Sequence, residues 1–117
     1  MKDEYDFSGA RRNPYATSLR LAQAKMKDTL IRAVENRQRI SFVYNQRVRV
    51  VEPQCYGIGT RGTELLRGRQ VQGGQAEEPL FDVAKISDLV VLDQHFAEPG
   101  PHYRKDDAAM VTIFAKL

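Results

Sequence analysis

The chain has 117 residues, 42% of them apolar and 28% charged, which suits one small domain with a modest core. Its formal net charge of +3 is unevenly spread: through Gln70, 14 Lys and Arg stand against 7 Asp and Glu, a net of +7, and from Val71 onward 4 stand against 8, a net of −4. No apolar run reaches the roughly 20 residues of a membrane helix, and the single cysteine, Cys55, excludes an internal disulfide or a cysteine-based metal cluster.

The opening Met1-Lys2-Asp3-Glu4 has no apolar stretch behind it, which predicts no secretory leader and a cytoplasmic protein. Residues 1–18 lack helical or strand periodicity and read as an extended arm. Its aromatic anchors Tyr5, Phe7 and Tyr15 surround the basic pair Arg11-Arg12, a pattern suited to lying on a partner protein or a second copy. Leu19, Ala22, Met26, Leu30 and Val34 then recur at helical spacing behind candidate caps Thr17 and Ser18. Asp28 is itself a candidate cap, so the expectation is a linker helix over 19–28 and a second helix to about Arg37. Arg20, Lys25, Lys27 and Arg32 form the opposite, basic face.

Short strands follow. Ile40 to Tyr44 places Ile40, Phe42 and Tyr44 on one face, and Asn45-Gln46 turns the chain into Arg47 to Glu52. Pro53, with no backbone donor, marks a bend before a third strand, Gln54 to Ile58. The glycine turn 59–62 leads into Thr63 to Gln70. After the polar loop 71–79, Leu80 to Val83 and Asp88 to Leu92 complete six strands. In the last segment Val111 to Phe114 have strand propensity, yet Met110, Ile113, Phe114 and Leu117 share a helical face behind Asp106 and Asp107. A short terminal helix is the favoured reading. Strands not separated by helices predict an α+β protein: a small, strongly bent antiparallel barrel behind a helical region.

From Thr29 to Leu92 the order of these pieces resembles the WYL domain, an Sm-like small β-barrel of bacterial transcription regulators and defence-associated proteins. The resemblance is carried by Arg37-Gln38-Arg39, Ile40 to Tyr44, Arg49 to Pro53, Glu64 to Gly68 and Leu80 to Ile86. It implies a regulatory, ligand-sensing module over 29–92, followed by an extension over 93–117. The chain departs from the family pattern in having Glu64-Leu65-Leu66 at the name-giving tripeptide, Lys85 where arginine is frequent, Asp82 at a basic position and Gln54 after Pro53. The segment Glu4 to Ser8 with Arg11 to Tyr15 is similar to the start of some small antitoxin proteins, which implies an arm that wraps a partner.

The expected function is non-catalytic binding of nucleic acid or an anionic, nucleotide-like ligand, with no cofactor. Arg47, Arg49, Arg67 and Arg69 would form one basic strip for phosphates, Tyr44 and Tyr56 would stack a base, and Gln54 and Lys85 would complete the site. The competing reading pairs those arginines with Glu52, Glu64, Asp82 and Asp88. A protein-interaction role through the arm is the alternative function. An enzyme ranks last: Gly57-Ile58-Gly59-Thr60-Arg61-Gly62 leads into a strand, not a helix, and His95 and His102 lack partners at catalytic or metal spacing.

Overall fold

The computed structural model describes residues 14–104 and 106–117. The sequence-based expectations placed on Tyr5, Phe7, Arg11 and Arg12 lie outside these residues. Helix α1 spans Pro14–Asn36 without interruption, so Asp28 is mid-helix and ion-pairs with Arg32 at 3.2 Å instead of capping a second helix. Tyr15, assigned to the arm, is likewise helical. Proline suits a helix start because its missing donor has no partner there. At the other end Arg37 turns left-handed (φ 53°) and its N–H bonds the Val34 carbonyl, closing the last turn.

Strand β1 (Gln38–Tyr44) pairs with β2 (Arg47–Gly59) across the two-residue turn Asn45-Gln46, both of whose φ angles are positive, as a tight hairpin turn requires. Strands two and three of the sequence reading are one 13-residue strand, β2. Pro53 lies inside it, and the register with β3 (Glu64–Gln72) slips between Pro53 and Cys55. Gly68 faces Pro53, and a Cβ there would come within 2.3 Å of Val51 Cγ1, so the close approach needs glycine.

A short β4 (Leu80–Asp82) and a 3-10 turn (Val83–Lys85) lead to β5 (Ser87–His95). The terminal helix expected from the sequence is a strand instead: β6 (Met110–Lys116) pairs with the second half of β2, Cys55 to Gly59. The physical reason is the empty edge. β1 covers only the first half of β2, and the β-branched Val111, Thr112 and Ile113 suit the unpaired remainder. The sheet is antiparallel in the order β4-β3-β2-β1-β5, with β6 also on β2; its end strands do not pair with each other.

One face of the sheet packs on α1. Leu30, Ala33 and Val34 of the helix meet Ile40, Phe42, Val51, Tyr56, Leu66 and Phe81 at the centre of the core, each at most 1% exposed. Phe42 and Phe81 stack edge-to-face, 5.0 Å between centroids. Among the described residues no helix is long and apolar enough to cross a membrane.

Candidate functional site

The β2–β3 register decides where the four arginines go. Arg47 and Arg49 alternate with Val51, on the face that packs against α1. Arg69 stands opposite Glu52, on the other face, and Arg67 shares that face opposite Cys55; the slip after Pro53 brings Tyr56 level with Leu66 in the core. Each pair shares a face, as the alternation predicts, but the two pairs do not form one strip.

Their individual environments differ as much. Arg47 is exposed. Arg49 donates to Gln70 Oε1 at 2.9 Å and to the Tyr44 carbonyl at 3.1 Å, with its guanidinium 5.6 Å from the Tyr44 ring centroid; its Nε is buried without a partner. Tyr44 is fixed at both ends, by edge-to-face contact with Phe81 and by the Asp82 N–H donating to its hydroxyl. Tyr56 is fully buried and donates to the Glu64 carboxylate at 2.5 Å, so no face of its ring is open to a base. Burial, followed by the bonded carboxylate, pushes its pKa upward. Lys85 is exposed at the end of the 3-10 turn. None of the four arginines ion-pairs with Glu52, Glu64, Asp82 or Asp88 among the described residues; Glu52 is held by Arg39 at 2.9 Å instead.

Arg67 belongs to a different constellation. The segment between β5 and β6 crosses the outer side of β2 and β3 and is tied down at several points. Buried Gln54 accepts from the Gly100 N–H and donates to Glu78 Oε1. The His102 N–H donates to Glu78 Oε2, and the Tyr103 hydroxyl donates to the Leu117 carbonyl. Arg67 donates through Nε to Asp107 Oδ2 at 2.9 Å and through Nη1 to the Glu78 carbonyl. These ties leave a cavity of about 220 Å³ lined by Cys55, Arg67, Glu78, His102, Tyr103, Arg104 and Asp107.

Its electrostatics follow from who bonds whom. Both oxygens of Glu78 and both of Asp107 already accept hydrogen bonds from the protein, Asp107 Oδ1 from the Ala109 N–H and from Arg67 Nη2. Burial alone would raise the Asp107 pKa, but the bonds from Arg67 and Ala109 and the charges of Arg67 and Arg104 outweigh it and hold the carboxyl below its ordinary value. Arg104 is exposed and makes no ion pair among the described residues. His102 lies 3.4 Å from the exposed Glu77. The Cys55 thiol at the floor is 1% exposed and pushed up to about 11, chiefly by burial, then by Asp107, so it stays protonated and unreactive at neutral pH.

Of the residues singled out from the sequence, Arg67 lines this cavity and Gln54 braces it. Tyr44, Arg47, Arg49, Tyr56, Arg69 and Lys85 do not line it. Glu78, Tyr103, Arg104 and Asp107 were not foreseen. The signal for the last three was a dense polar run, His102 to Asp107, set shortly before a β-branched segment; Glu78 lies apart from it, in the 71–79 loop. Among the described residues no group of three or more His, Cys, Asp or Glu is placed to hold a metal ion. Compared with known proteins, the chain matches no family model, no curated sequence and no solved structure.

Proposed function

We propose that the protein is a non-catalytic binding module that takes a small, nucleotide-like anion in the cavity between β2, β3 and the β5–β6 segment. One observation carries the reading. The cavity's two carboxylates are internally satisfied, whereas Arg104, His102 and the remaining N–H groups of Arg67 have donor capacity left for an incoming phosphate or carboxylate. A volume of about 220 Å³ suits an anionic head group, with the rest of the ligand at the mouth beside Tyr103. The separation of Arg47 and Arg49 from Arg67 and Arg69 favours a compact ligand over a strand of nucleic acid, which needs a continuous basic track.

The fold reading behind this proposal is a WYL-like, Sm-like small barrel whose long central strand β2 is shared by β1, β3 and β6. Regulatory sensing, with ligand binding transmitted through the pinned β5–β6 segment, fits that architecture. The protonated, buried thiol of Cys55 supports binding over nucleophilic chemistry.

Titration calorimetry with adenosine monophosphate, adenosine and inorganic phosphate tests the proposal. The phosphate-bearing compounds bind, adenosine does not, and the affinity falls as salt rises. Arg104→Ala lowers affinity by about tenfold or more, the worth of one charge-assisted hydrogen bond, while Arg47→Ala leaves it unchanged. Absence of heat with either phosphate compound, or a loss that follows Arg47 instead of Arg104, overturns the reading.

A further inference from the structure

Hydrogen-bond satisfaction and charge balance are separate properties of the cavity between β2, β3 and the β5–β6 segment. Of its lining residues, Arg67 and Arg104 are cations and Glu78 and Asp107 are carboxylates. Asp107 answers Arg67, whose Nε and Nη2 donate to its two oxygens at 2.9 and 3.4 Å. Glu78 has no such partner. Its Oε1 accepts from the Gln54 amide and its Oε2 from the His102 backbone N–H, both neutral donors. Its carboxylate makes no ion pair among the described residues. A neutral donor favours the ionised carboxylate without cancelling its charge.

The Glu78 charge is also held in place. Both of its bonds are 2.8 Å long, and Gly100 packs so close that a Cβ there would stand 2.8 Å from the carboxylate carbon. A carboxylate accepts about four hydrogen bonds, so each Glu78 oxygen keeps a lone pair beyond the one in use. At the rim Glu77, with its side chain 73% exposed, adds a further carboxylate 3.4 Å from His102 Nε2. The nearby Asp106–Lys116 pair, at 3.6 Å, cancels within itself. With histidine counted neutral, the cations Arg67 and Arg104 therefore face three carboxylates, Glu77, Glu78 and Asp107. A ligand carrying negative charge alone meets Arg104 and, beside it, a surplus of its own sign.

We infer that the ligand of this cavity is a zwitterion, its anionic group at Arg104 and a protonated amine at the Glu78 and Glu77 carboxylates. The inference rests on the anion site proposed above and names the class of compound that fits it. The two charges stand close together on the ligand. Both contacts belong to one cavity of about 220 Å³, and Arg104 lies two residues beyond the amide that Glu78 accepts from, at most about 7 Å of extended chain. A short linker between ammonium and phosphate or carboxylate suits that gap, as in an amino alcohol phosphate or an amino acid. The rest of the ligand remains at the mouth. The same carboxylates act against polyphosphates, which bring more negative charge and no cation.

Titration calorimetry of the full-length chain at pH 8 tests the inference with methyl phosphate, O-phosphoethanolamine and N-acetyl-O-phosphoethanolamine. All three carry one phosphate monoester and differ in the amine. Phosphoethanolamine binds about fivefold tighter than methyl phosphate or more, the worth of one partly exposed ion pair. Acetylation, which removes the ammonium charge, abolishes that gain. Glu77→Gln and Glu78→Gln each shrink the gain and strengthen methyl phosphate binding, because each removes an opposing charge. Glu78 also braces the segment, so Glu77→Gln, at an exposed site, carries the comparison if Glu78→Gln loses its fold by circular dichroism. Methyl phosphate bound as tightly as phosphoethanolamine, or a gain untouched by the substitutions, overturns the zwitterion and leaves the anion site standing. Silence from all three compounds overturns it as well, and silence from adenosine monophosphate too removes the anion site on which it rests.

Discussion

Replacing Gln54 by alanine separates a ligand contact from a brace. The Gln54 side chain is fully buried and bonded at both ends, to the Gly100 N–H and to the Glu78 carboxylate. A neutral hydrogen bond contributes about 1 kcal/mol and one to a charged group about 2. The deletion therefore costs roughly 3 kcal/mol, before any contribution from the space left behind. With an unfolding entropy of about 2.1 cal/mol/K per residue, a chain of this length loses roughly 12 °C in Tm. Differential scanning calorimetry measures the shift. Hydrogen exchange adds the local signature, loss of protection at the Gly100 amide. Gln54→Glu sharpens the argument: its carboxylate faces Glu78, so that variant is destabilised at neutral pH and recovers as acidification protonates one of the two. A Tm within about 2 °C of wild type for Gln54→Ala, with Gly100 still protected, would refute the bracing role and return Gln54 to the ligand.

Three further outcomes follow from single contacts. Gly57→Ala drives a Cβ to 2.1 Å from the Thr112 carbonyl oxygen, so β6 must detach; exchange protection over Met110–Lys116 disappears, and stability falls by about 2 kcal/mol or more. Preserved protection there would contradict the β2–β6 pairing. Cys55 resists a thiol reagent in the native state at pH 8 and reacts only on unfolding; labelling at the rate of a free thiol would show that the cavity floor is open. Asp107 has a folded pKa below its unfolded one, so its contribution is present above the ordinary carboxylate value near 3.8 and is lost as pH falls below it. Urea unfolding of Asp107→Asn is accordingly weaker than wild type at neutral pH, and the difference shrinks toward pH 3; an unchanged gap would show that the Arg67 pair does not carry it.

The parts of the fold that local pattern dictates were legible. The helical stripe Met26, Leu30 and Val34 packs on the sheet, and Ile40 and Phe42 face the core as their alternation requires. Asn45-Gln46 makes the tight turn. What failed depends on pairing, which one segment cannot announce. Val111 to Phe114 carry both a helical face and β-branched residues, and the open half of β2 decides between them. The same holds for the site. Alternation groups Arg47 with Arg49 and Arg67 with Arg69, but the pairing of Val51 with Gln70 and of Glu52 with Arg69 sets which face each pair occupies. Tyr56 reads as a stacking platform from the sequence, but its ring is buried in the core and its hydroxyl is bonded to Glu64. Of the four strand arginines only Arg67 lines the cavity, and its acid, Asp107, lies 40 residues away in the chain.

The central claim is that an anion enters the cavity beside Arg67 and Arg104, and chemical-shift mapping tests it most directly. Adenosine monophosphate is titrated into the isotope-labelled full-length chain at low salt. The account predicts saturable shifts at Cys55, His102, Tyr103, Arg104 and the Arg67 guanidinium Nε–H, with Arg47, Arg49 and Lys85 unmoved. Shifts gathered at Arg47 and Arg49, or no saturable shift anywhere, would contradict it.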